Sequence, residues 1–171
     1  MTTNPEPTFD WEAWTPDLEA TLLFVLRDER LLLIHKKRGL GAGKLNAAGG
    51  KVDPGETPLE AAVREFEEEL RARPLDPRKA GEVAFHVMDG TAILIHVFLA
   101  EELEGEPRET EEAVPRWVPV DDIPYDRMWA DDRYWLPLLL DGRHFEARAA
   151  FDGDALLSCE VFERESEKES R

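Results

Sequence analysis

One stretch of the 171-residue chain constrains its fold more than any other, GGKVDPGETPLEAAVREFEEEL at residues 49–70. Thr57, Pro58 and Glu60 predict the start of a helix, because threonine caps well, proline suits the first helical position and glutamate completes a capping box. At about 100° per residue, one stripe of this helix is apolar. That stripe is expected to face the core, and it holds Leu59, Ala62, Val63, Phe66 and Leu70.

Three glutamates of the same helix form a second stripe beside the apolar one. Glu65, Glu68 and Glu69 stand three and four residues apart, so their side chains are neighbours on the helix surface. Like charges at this spacing repel, and helix stability gives no reason for them. Carboxylates and the carbonyls of a glycine-rich loop are the oxygen ligands that Mg²⁺ prefers. The pattern therefore indicates a cation site, and its plainer alternative is a solvated acidic edge.

The rest of the chain alternates short apolar segments with turn signals. Three hairpins or turns are expected, around Asp28-Glu29, Asp89-Gly90 and Asp152-Gly153, with a short strand in RWVPV and a second helix within residues 122–140. Mixed strands around two helices predict an α+β or three-layer α/β domain. We expect this domain to occupy residues 17–162, between an N-terminal extension at 1–16 and a disordered acidic tail at 163–171.

Composition narrows the setting of this domain. Lys and Arg total 21 against 38 Asp and Glu, and a net charge of −17 disfavours a nucleic-acid polymer as partner. No apolar run approaches the ~20 residues of a membrane span, and the N-terminus lacks the basic and apolar regions of a signal peptide. The single Cys159 excludes an internal disulfide and fits a reducing compartment. We expect a cytoplasmic monomer without a membrane partner.

The glycine-rich loop and the acidic helix resemble a known family. Gly50, five residues, Glu56, seven residues and then REFEEE resemble the Nudix box, G-x5-E-x7-R-E-U-x-E-E-x-G-U. The resemblance implies an α-β-α sandwich with a mixed central sheet, and hydrolysis of a nucleoside diphosphate derivative assisted by Mg²⁺, with Mn²⁺ as an alternative ion. The implied metal ligands are the Gly49 carbonyl, Glu65, Glu68, Glu69 and, from a separate loop, Glu112.

Two features of this site stay open at the level of sequence. Either Glu69 or Glu112 is a candidate general base, although Glu112 lies in an acidic run and is equally typical of a solvated loop. Arg71 stands where the Nudix pattern has a glycine that would end the helix in a left-handed conformation. The resemblance therefore leaves open whether Arg71 extends or distorts the last turn.

Residues outside the Nudix box are similar to one branch of the family, the oxidised purine nucleoside triphosphatases. The similarity spans roughly residues 20–162 and rests on KKRGLGAGKLNAAGGKVDPGET, HVFLAEELEGEP, IPYDRMWADDRYWLPLLL and FDGDALL. It implies hydrolysis of 8-oxo-dGTP and 2-hydroxy-dATP to the monophosphate and pyrophosphate, which would sanitise the nucleotide pool. The base-binding residues of the branch correspond to Asn46, Trp129, Asp131 and Asp132.

The chemistry of these four residues suits a purine. An asparagine offers a donor and an acceptor to a base edge, and a tryptophan offers a face for stacking. Two adjacent carboxylates in an apolar pocket do not both ionise cheaply, so Asp131 and Asp132 are expected to share a proton. Moving that proton would change which base edge fits. Without the resemblance, WADD would be interpreted as a helix cap with Trp135 in the core.

Further residues are expected near the substrate. Lys36, Lys37, Arg38 and Lys51 are candidates for contact with the phosphates, although an exposed basic turn is the alternative for the first three. The pocket wall is expected to contain Thr21, Phe85 and Phe151, which also suit ordinary strands. Leu40 and Leu45 stand where the branch has aromatic residues, so the wall becomes aliphatic and loses stacking geometry.

Two other functions compete with this interpretation. A Nudix enzyme acting on another nucleoside diphosphate derivative, such as a nucleotide sugar, would keep the same carboxylates. A non-catalytic Nudix-like module that binds nucleotides would not need them, and the crowding of Glu65, Glu68 and Glu69 argues against it.

Overall fold

The predicted hairpins and both helices are present in the computed structural model of the chain, which describes residues 10–165. Residues 1–9 of the predicted extension and 166–171 of the predicted tail lie outside this range. The strands are β1 (Leu18–Arg27), β2 (Arg30–Lys36), β3 (Leu45–Asn46), β4 (Arg73–Leu75), β5 (Arg78–Val87), β6 (Ala92–Ala100), β7 (Glu102–Glu104), β8 (Ala113–Pro119), β9 (His144–Asp152) and β10 (Ala155–Arg164). The helices are α1 (Pro58–Leu70) and α2 (Asp132–Leu140).

Eight of the ten strands form one mixed sheet. Its order is β10-β9-β5-β6-β1-β2-β3, with β8 paired to β2. The pairs β1–β6 and β5–β9 are parallel, whereas the hairpins β5–β6 and β9–β10 are antiparallel. The last strand ends at Arg164, two residues beyond the predicted domain limit. β4 and β7 form a separate two-stranded sheet that the sequence did not predict.

The two helices cover opposite faces of the large sheet. Phe24 of β1 packs in a cluster with Trp135, Leu136 and Leu139 of α2. Its neighbour Leu23 faces the other way and packs with Ala62, Phe66 and Leu70 of α1. Alternate residues of β1 therefore pack in the cores on the two faces of the sheet. The molecule is thus the predicted α-β-α sandwich with a mixed central sheet. Neither helix of the described residues is long and apolar enough to cross a membrane.

The glycine-rich segment lies in a gap between β1 and β2. These strands pair only beside their turn, at Leu26–Leu31 and Arg27–Arg30, after which β2 continues alongside β8. Residues 46–51 enter the gap, and the backbone of β1 bonds to them through Thr21 N–H to the Gly50 carbonyl and Leu23 N–H to the Ala48 carbonyl, both at 2.8 Å. The segment before α1 is therefore fixed against the middle of the sheet.

Helix α1 begins as predicted. The Thr57 hydroxyl accepts from the Glu60 N–H at 3.1 Å, and the Glu60 carboxylate accepts from the Thr57 N–H at 2.9 Å. The prediction of its apolar face was partly wrong, because the side chain of Leu59 is 41% exposed whereas Ala61 is fully buried. Leu59 belongs to the first turn, and the α1 residues that pack in the core with the strands begin at Ala62.

Arg71 ends α1 in the way that a glycine would. It adopts a left-handed conformation, with φ 59° and ψ 31°, and its N–H donates to the Glu67 carbonyl at 2.9 Å. The last carbonyls of the helix are bonded by a loop from elsewhere: Arg108 N–H donates to Leu70, and the Thr110 hydroxyl donates to Glu69, both at 2.8 Å. The helix is therefore neither extended nor distorted, but its end requires a strained backbone at a non-glycine residue.

Candidate active site

A pocket opens on the α2 side of the sheet, beside the glycine-rich segment. Strand residues of β1, β5 and β6 form its apolar floor, and α2 with the residues before it closes one end. Predicted substrate residues on its wall are Thr21, Lys36, Leu40, Asn46, Phe85, Trp129, Asp131 and Asp132. Gly49 and Gly50 complete the wall on the side of α1. The fold thus brings eight of the predicted substrate residues to one cavity.

The pocket contains two adjacent buried carboxyl groups at the start of α2. Asp131 and Asp132 are 2% and 3% exposed, and no side-chain capping bond is made at the start of the helix. Asp131 Oδ2 accepts from Trp135 Nε1 at 2.8 Å. Asp131 Oδ1 and Asp132 Oδ2 are buried and have no hydrogen-bond partner among residues 10–165. Buried polar atoms without partners are rare, so this pair is suited to a ligand that supplies the missing bonds.

Burial governs the protonation of this pair. It raises the pKa of Asp131 to about 6, although the bond from Trp135 favours the ionised form. Burial together with the charge of Asp131 raises the pKa of Asp132 well above its ordinary value. The pair therefore holds a proton near neutral pH and presents one donor beside several acceptors.

Aromatic packing holds Trp129 in one orientation beside the pair. Its ring meets Phe85 edge to face at 5.1 Å between centroids, and it meets Phe151 in the same way at 5.2 Å. Lys44 Nζ lies 5.1 Å from the centre of the Trp129 ring. Such contacts fix a half-buried indole without using its polar edge. Trp135, by contrast, is 1% exposed and stacks on Phe145, so it is a core residue that also touches the pocket.

The glycine-rich segment places Asn46 and two glycines close to β1. Asn46 Oδ1 accepts from Ala47 N–H at 2.8 Å, and its amide nitrogen has no protein partner within residues 10–165. A Cβ on Gly49 would lie 1.8 Å from the Thr21 carbonyl oxygen, and a Cβ on Gly50 would lie 2.3 Å from the Glu65 carboxyl carbon. Only glycine fits at position 49, and a side chain at position 50 would displace the Glu65 carboxylate. The pocket therefore directly adjoins the carboxylates of α1.

Glu69 is the buried carboxylate of this group. Its side chain is 3% exposed, and its Oε1 accepts from the Gly49 N–H at 3.0 Å. Burial raises the pKa of Glu69 to about 7, and the charges of Glu65 and Glu112 act in the same direction, whereas Lys36 opposes them. Glu65 is also partly buried, and burial raises its pKa despite the bond from Arg64.

Arg64 binds several of the acids around the loop. Its Nε donates to Glu56 Oε2 at 2.6 Å, its Nη1 donates to Glu65 Oε2 at 3.0 Å, and its Nη2 donates to the Lys51 carbonyl at 3.0 Å. The hydrogen bonds from Arg64 and from the Asp53 N–H hold the pKa of Glu56 at about 2. The arginine and the first glutamate of the Nudix pattern therefore fasten the loop to α1. Arg64 Nη1 also lies 3.5 Å from Glu68 Oε1, whereas Glu60 serves the helix cap.

The predicted metal ligands lie in one region but do not yet converge. Glu65 interacts electrostatically with Glu68 and Glu112, and Glu69 with Glu65 and Glu112. Among residues 10–165, no three acidic, histidine or cysteine side chains are close enough to hold a metal ion together. Like charges separate, and Arg64 and Gly49 N–H each hold one carboxylate. The donors fit a hard divalent cation in type, and their convergence requires the carboxylate side chains to turn toward one another.

Five predicted positions lie away from the pocket wall. Lys37 and Arg38 pair instead with Glu109 and Glu112 of the loop before β8. The Lys51 side chain is exposed, and its backbone carbonyl accepts from Arg64. Leu45 is 1% exposed and belongs to the core, and Phe151 lies behind Trp129 and Phe85. Only Leu40, which is 55% exposed at the rim, makes the wall aliphatic as expected. The sequence alone did not distinguish Leu45, a buried strand residue, from Leu40, an exposed loop residue.

Sequence reasoning missed part of the pocket and its surroundings. The apolar floor of the pocket comes from three strands, at Ala20, Leu22, Val83, Ile93 and Ile95. The apolar pattern of these strands indicates that both faces are buried but not which face lines a pocket. Lys44, above Trp129, was missed as well, and it also lies 3.3 Å from Asp154. No sequence signal connects those positions, because they are distant along the chain.

Comparison with known proteins agrees with this geometry. The NUDIX domain model matches residues 17–139. A Danio rerio protein named oxidized purine nucleoside triphosphate hydrolase is 43% identical over 134 residues, which cover 78% of this chain and 86% of that protein. The Mus musculus protein of the same name is 40% identical over 148 residues, covering 85% and 95%. The crystal structure of a MutT protein from Bacillus halodurans superposes with a TM-score of 0.76 at 26% identity, covering 84% of this chain and 97% of that one. The chain therefore belongs to the Nudix family.

Proposed function

We propose that this Nudix protein hydrolyses oxidised purine nucleoside triphosphates, such as 8-oxo-dGTP and 2-hydroxy-dATP, to the monophosphate and pyrophosphate, and so sanitises the nucleotide pool. The observation that carries the proposal is the buried pair Asp131 and Asp132, whose two unpartnered oxygens lie in a pocket beside Trp129. The names of the Danio rerio and Mus musculus relatives support the same substrate class.

The base pocket is proposed to recognise the edge and the face of the purine separately. Trp129 supports the face, an interaction worth about 1–3 kcal/mol for a base on an aromatic ring. Asn46 offers its amide N–H groups, and the proton-sharing aspartates offer one donor with acceptors on either side. Oxidation of a purine changes the donors and acceptors on its edge. A proton that moves between Asp131 and Asp132 lets one pocket accept more than one such edge.

The carboxylates of α1 are proposed to hold the divalent cation that Nudix hydrolases generally use, here Mg²⁺ with Mn²⁺ as an alternative. Its ligands would be Glu65, Glu68, Glu69, Glu112 and the Gly49 carbonyl. When bound, the ion supplies Lewis-acid chemistry, lowering the pKa of water and screening phosphate charge. Because burial raises the pKa of Glu65 and Glu69, binding a cation would release protons from this site.

The bond that breaks is the one between the α-phosphate and the pyrophosphate. A water oxygen bonds to phosphorus, the bridging oxygen leaves with its electron pair on pyrophosphate, and a carboxylate takes the proton of the water. Glu69 and Glu112 remain the candidates for that carboxylate. Glu69 is supported by a pKa raised to about 7 by burial, since a base titrating near the working pH transfers protons most effectively.

The proposed setting of the enzyme follows from its charge. A chain with net charge −17 repels nucleic-acid polymers, whereas a small nucleotide accompanied by a cation reaches the pocket. We therefore propose small nucleotides, and no nucleic-acid polymer, as the partners of the enzyme. We also propose that it is a cytoplasmic monomer without a membrane partner.

A turnover panel tests the substrate class. The full chain with Mg²⁺ is assayed on 8-oxo-dGTP, 2-hydroxy-dATP, dGTP, ADP-ribose and a nucleotide sugar, and the products are separated by chromatography. We expect the two oxidised purines to have the highest kcat/KM and to yield monophosphate and pyrophosphate. If ADP-ribose or the nucleotide sugar is hydrolysed best and the oxidised purines are ignored, the proposed substrate is wrong.

A further inference from the structure

A second groove lies at the C-terminal end of α1. It is lined by the end of the helix, the turn after β2 and the loop before β8, at Arg38, Glu68, Arg71, Arg108, Glu109, Thr110, Glu111 and Glu112. Glu68 and Glu112 belong both to this groove and to the predicted cation ligands. Glu69, bonded to Gly49 on the pocket wall, lies at the other side of the same set. The carboxylates thus stand between the base pocket and this groove.

The groove contains two positive charges that nothing in the described chain neutralises. Each of its acids has a cationic partner: Glu109 with Lys37 at 2.7 Å, Glu111 and Glu112 with Arg38 at 3.9 and 3.7 Å, and Glu68 with Arg64 at 3.5 Å. Arg71 and Arg108 are exposed, and no carboxylate within residues 10–165 lies in ion-pairing distance of either.

The backbone positions of both arginines are fixed. Arg71 is the left-handed end of α1, and Arg108 donates its N–H to the Leu70 carbonyl at 2.8 Å, next to it. Thr110, two residues later, bonds the Glu69 carbonyl at 2.8 Å. The same contacts that end the helix therefore fix the backbone from which both arginines reach the groove that Glu68 and Glu112 also line. Arginine suits phosphate here because its planar fork makes paired hydrogen bonds to phosphate oxygens.

We infer that Arg71 and Arg108 bind the terminal phosphates of the substrate, the part that leaves as pyrophosphate. This inference rests on the proposed function only in that the substrate is a triphosphate, and it is independent of which base the pocket selects. A nucleotide with its base beside Trp129 and its bridging oxygen at the carboxylates directs its distal phosphates into this groove. The arginines would offset charge that the divalent cation leaves uncompensated, and they would favour triphosphates over diphosphates.

Charge-removing variants test the inference. The variants are Arg71→Gly, which suits the left-handed backbone, Arg108→Gln and their combination. Arg73→Gln is the matched control, because Arg73 is exposed outside the groove and pairs only loosely with Glu67, at 3.8 Å. We measure kcat and KM for 8-oxo-dGTP, inhibition by inorganic pyrophosphate, and inhibition by 8-oxo-dGMP.

The double variant is expected to raise both KM and the pyrophosphate inhibition constant about tenfold, which corresponds to about 1.4 kcal/mol. The kcat of the double variant is expected to change less than about twofold, and its inhibition by 8-oxo-dGMP should equal that of the unchanged chain. The Arg73→Gln control should match the unchanged chain in every measurement. Equal pyrophosphate inhibition in the double variant and the unchanged chain would overturn the inference. An equal loss in Arg73→Gln would also overturn it, because the effect would then be one of overall charge.

Failure of this inference is distinguishable from failure of the proposed substrate. If 8-oxo-dGTP is a poor substrate, binding of inorganic pyrophosphate with Mg²⁺ is measured directly by calorimetry. Weaker binding to the double variant than to Arg73→Gln supports the arginine groove whatever base is preferred, and equal binding refutes it.

Discussion

The fold removes three carboxyl groups from water, those of Glu69, Asp131 and Asp132. Glu69 keeps one hydrogen bond, from Gly49, and the aspartates keep one between them, from Trp135. Burial therefore raises the pKa of all three, to about 7 for Glu69 and about 6 for Asp131. Each is costly to stability near neutral pH, and such cost is typical of groups kept for function.

Replacing Glu69 with glutamine tests its place in catalysis. Glutamine keeps the shape and the acceptor for Gly49 but neither binds a cation strongly nor takes a proton, so kcat is expected to fall about 10²–10⁴-fold. Stability should not fall at pH 8, where the buried carboxylate is ionised and unfavourable. Glu67→Gln, on the same helix outside the site, is the control and should keep its activity. Full activity of Glu69→Gln would remove Glu69 from the proposed site.

The aspartate pair should make the stability of the protein depend on pH. Both folded pKa values are raised above the unfolded value, so the folded state binds more protons and its stability decreases as pH rises from about 4 through the folded pKa values. Asp132→Asn should reduce this decrease, measured as the difference in free energy of unfolding between pH 5 and pH 8. Asp126→Asn, at an exposed site, should leave it unchanged. An identical pH dependence in Asp132→Asn would contradict the raised pKa values.

At the scale of elements, α1 carries an unfavourable residue at its end. Arg71 has φ 59°, and a non-glycine side chain in this conformation costs about 1–2 kcal/mol of stability. Glycine removes this cost, but it also makes the unfolded chain more flexible, which offsets part of the gain. Arg71→Gly should therefore raise the free energy of unfolding by about 0.5–1 kcal/mol, measured with urea. Arg73→Gly, in a strand, should lower it. Equal losses in the two variants would show that Arg71 is not strained.

The elements predicted best from sequence were those with local signals. The capping box of Thr57 and Glu60 and the hairpin turn at Asp89-Gly90 depend on neighbours in the chain. The pair β4–β7 joins residues about 30 positions apart and has no such signal. The exposure of Leu59 was mispredicted for a related reason, because periodicity gives the direction of a face but not where the sheet beneath it ends.

At the scale of the molecule, the site combines parts that only the fold unites. Residues from β1, the glycine-rich segment, α1, the loop before β8 and α2 meet around the gap between β1 and β2. The acidic stripe of α1 indicated a cation site only together with the glycine-rich loop before it. The role of Asp131 and Asp132 required the family resemblance, since by themselves the two residues suggest a helix cap. Net charge was a poor guide to either site, because most of it lies on the surface.

The most direct test of the account is the selectivity for an oxidised over an unoxidised base. We would measure the ratio of kcat/KM for 8-oxo-dGTP to that for dGTP in the unchanged chain, Asp131→Asn and Asp132→Asn, each across a Mg²⁺ titration. We predict a ratio well above one that falls about tenfold or more in at least one variant, equivalent to about 1.4 kcal/mol of base discrimination. The Mg²⁺ dependence should be unchanged. An unchanged ratio in both variants would contradict recognition of the base by the aspartate pair.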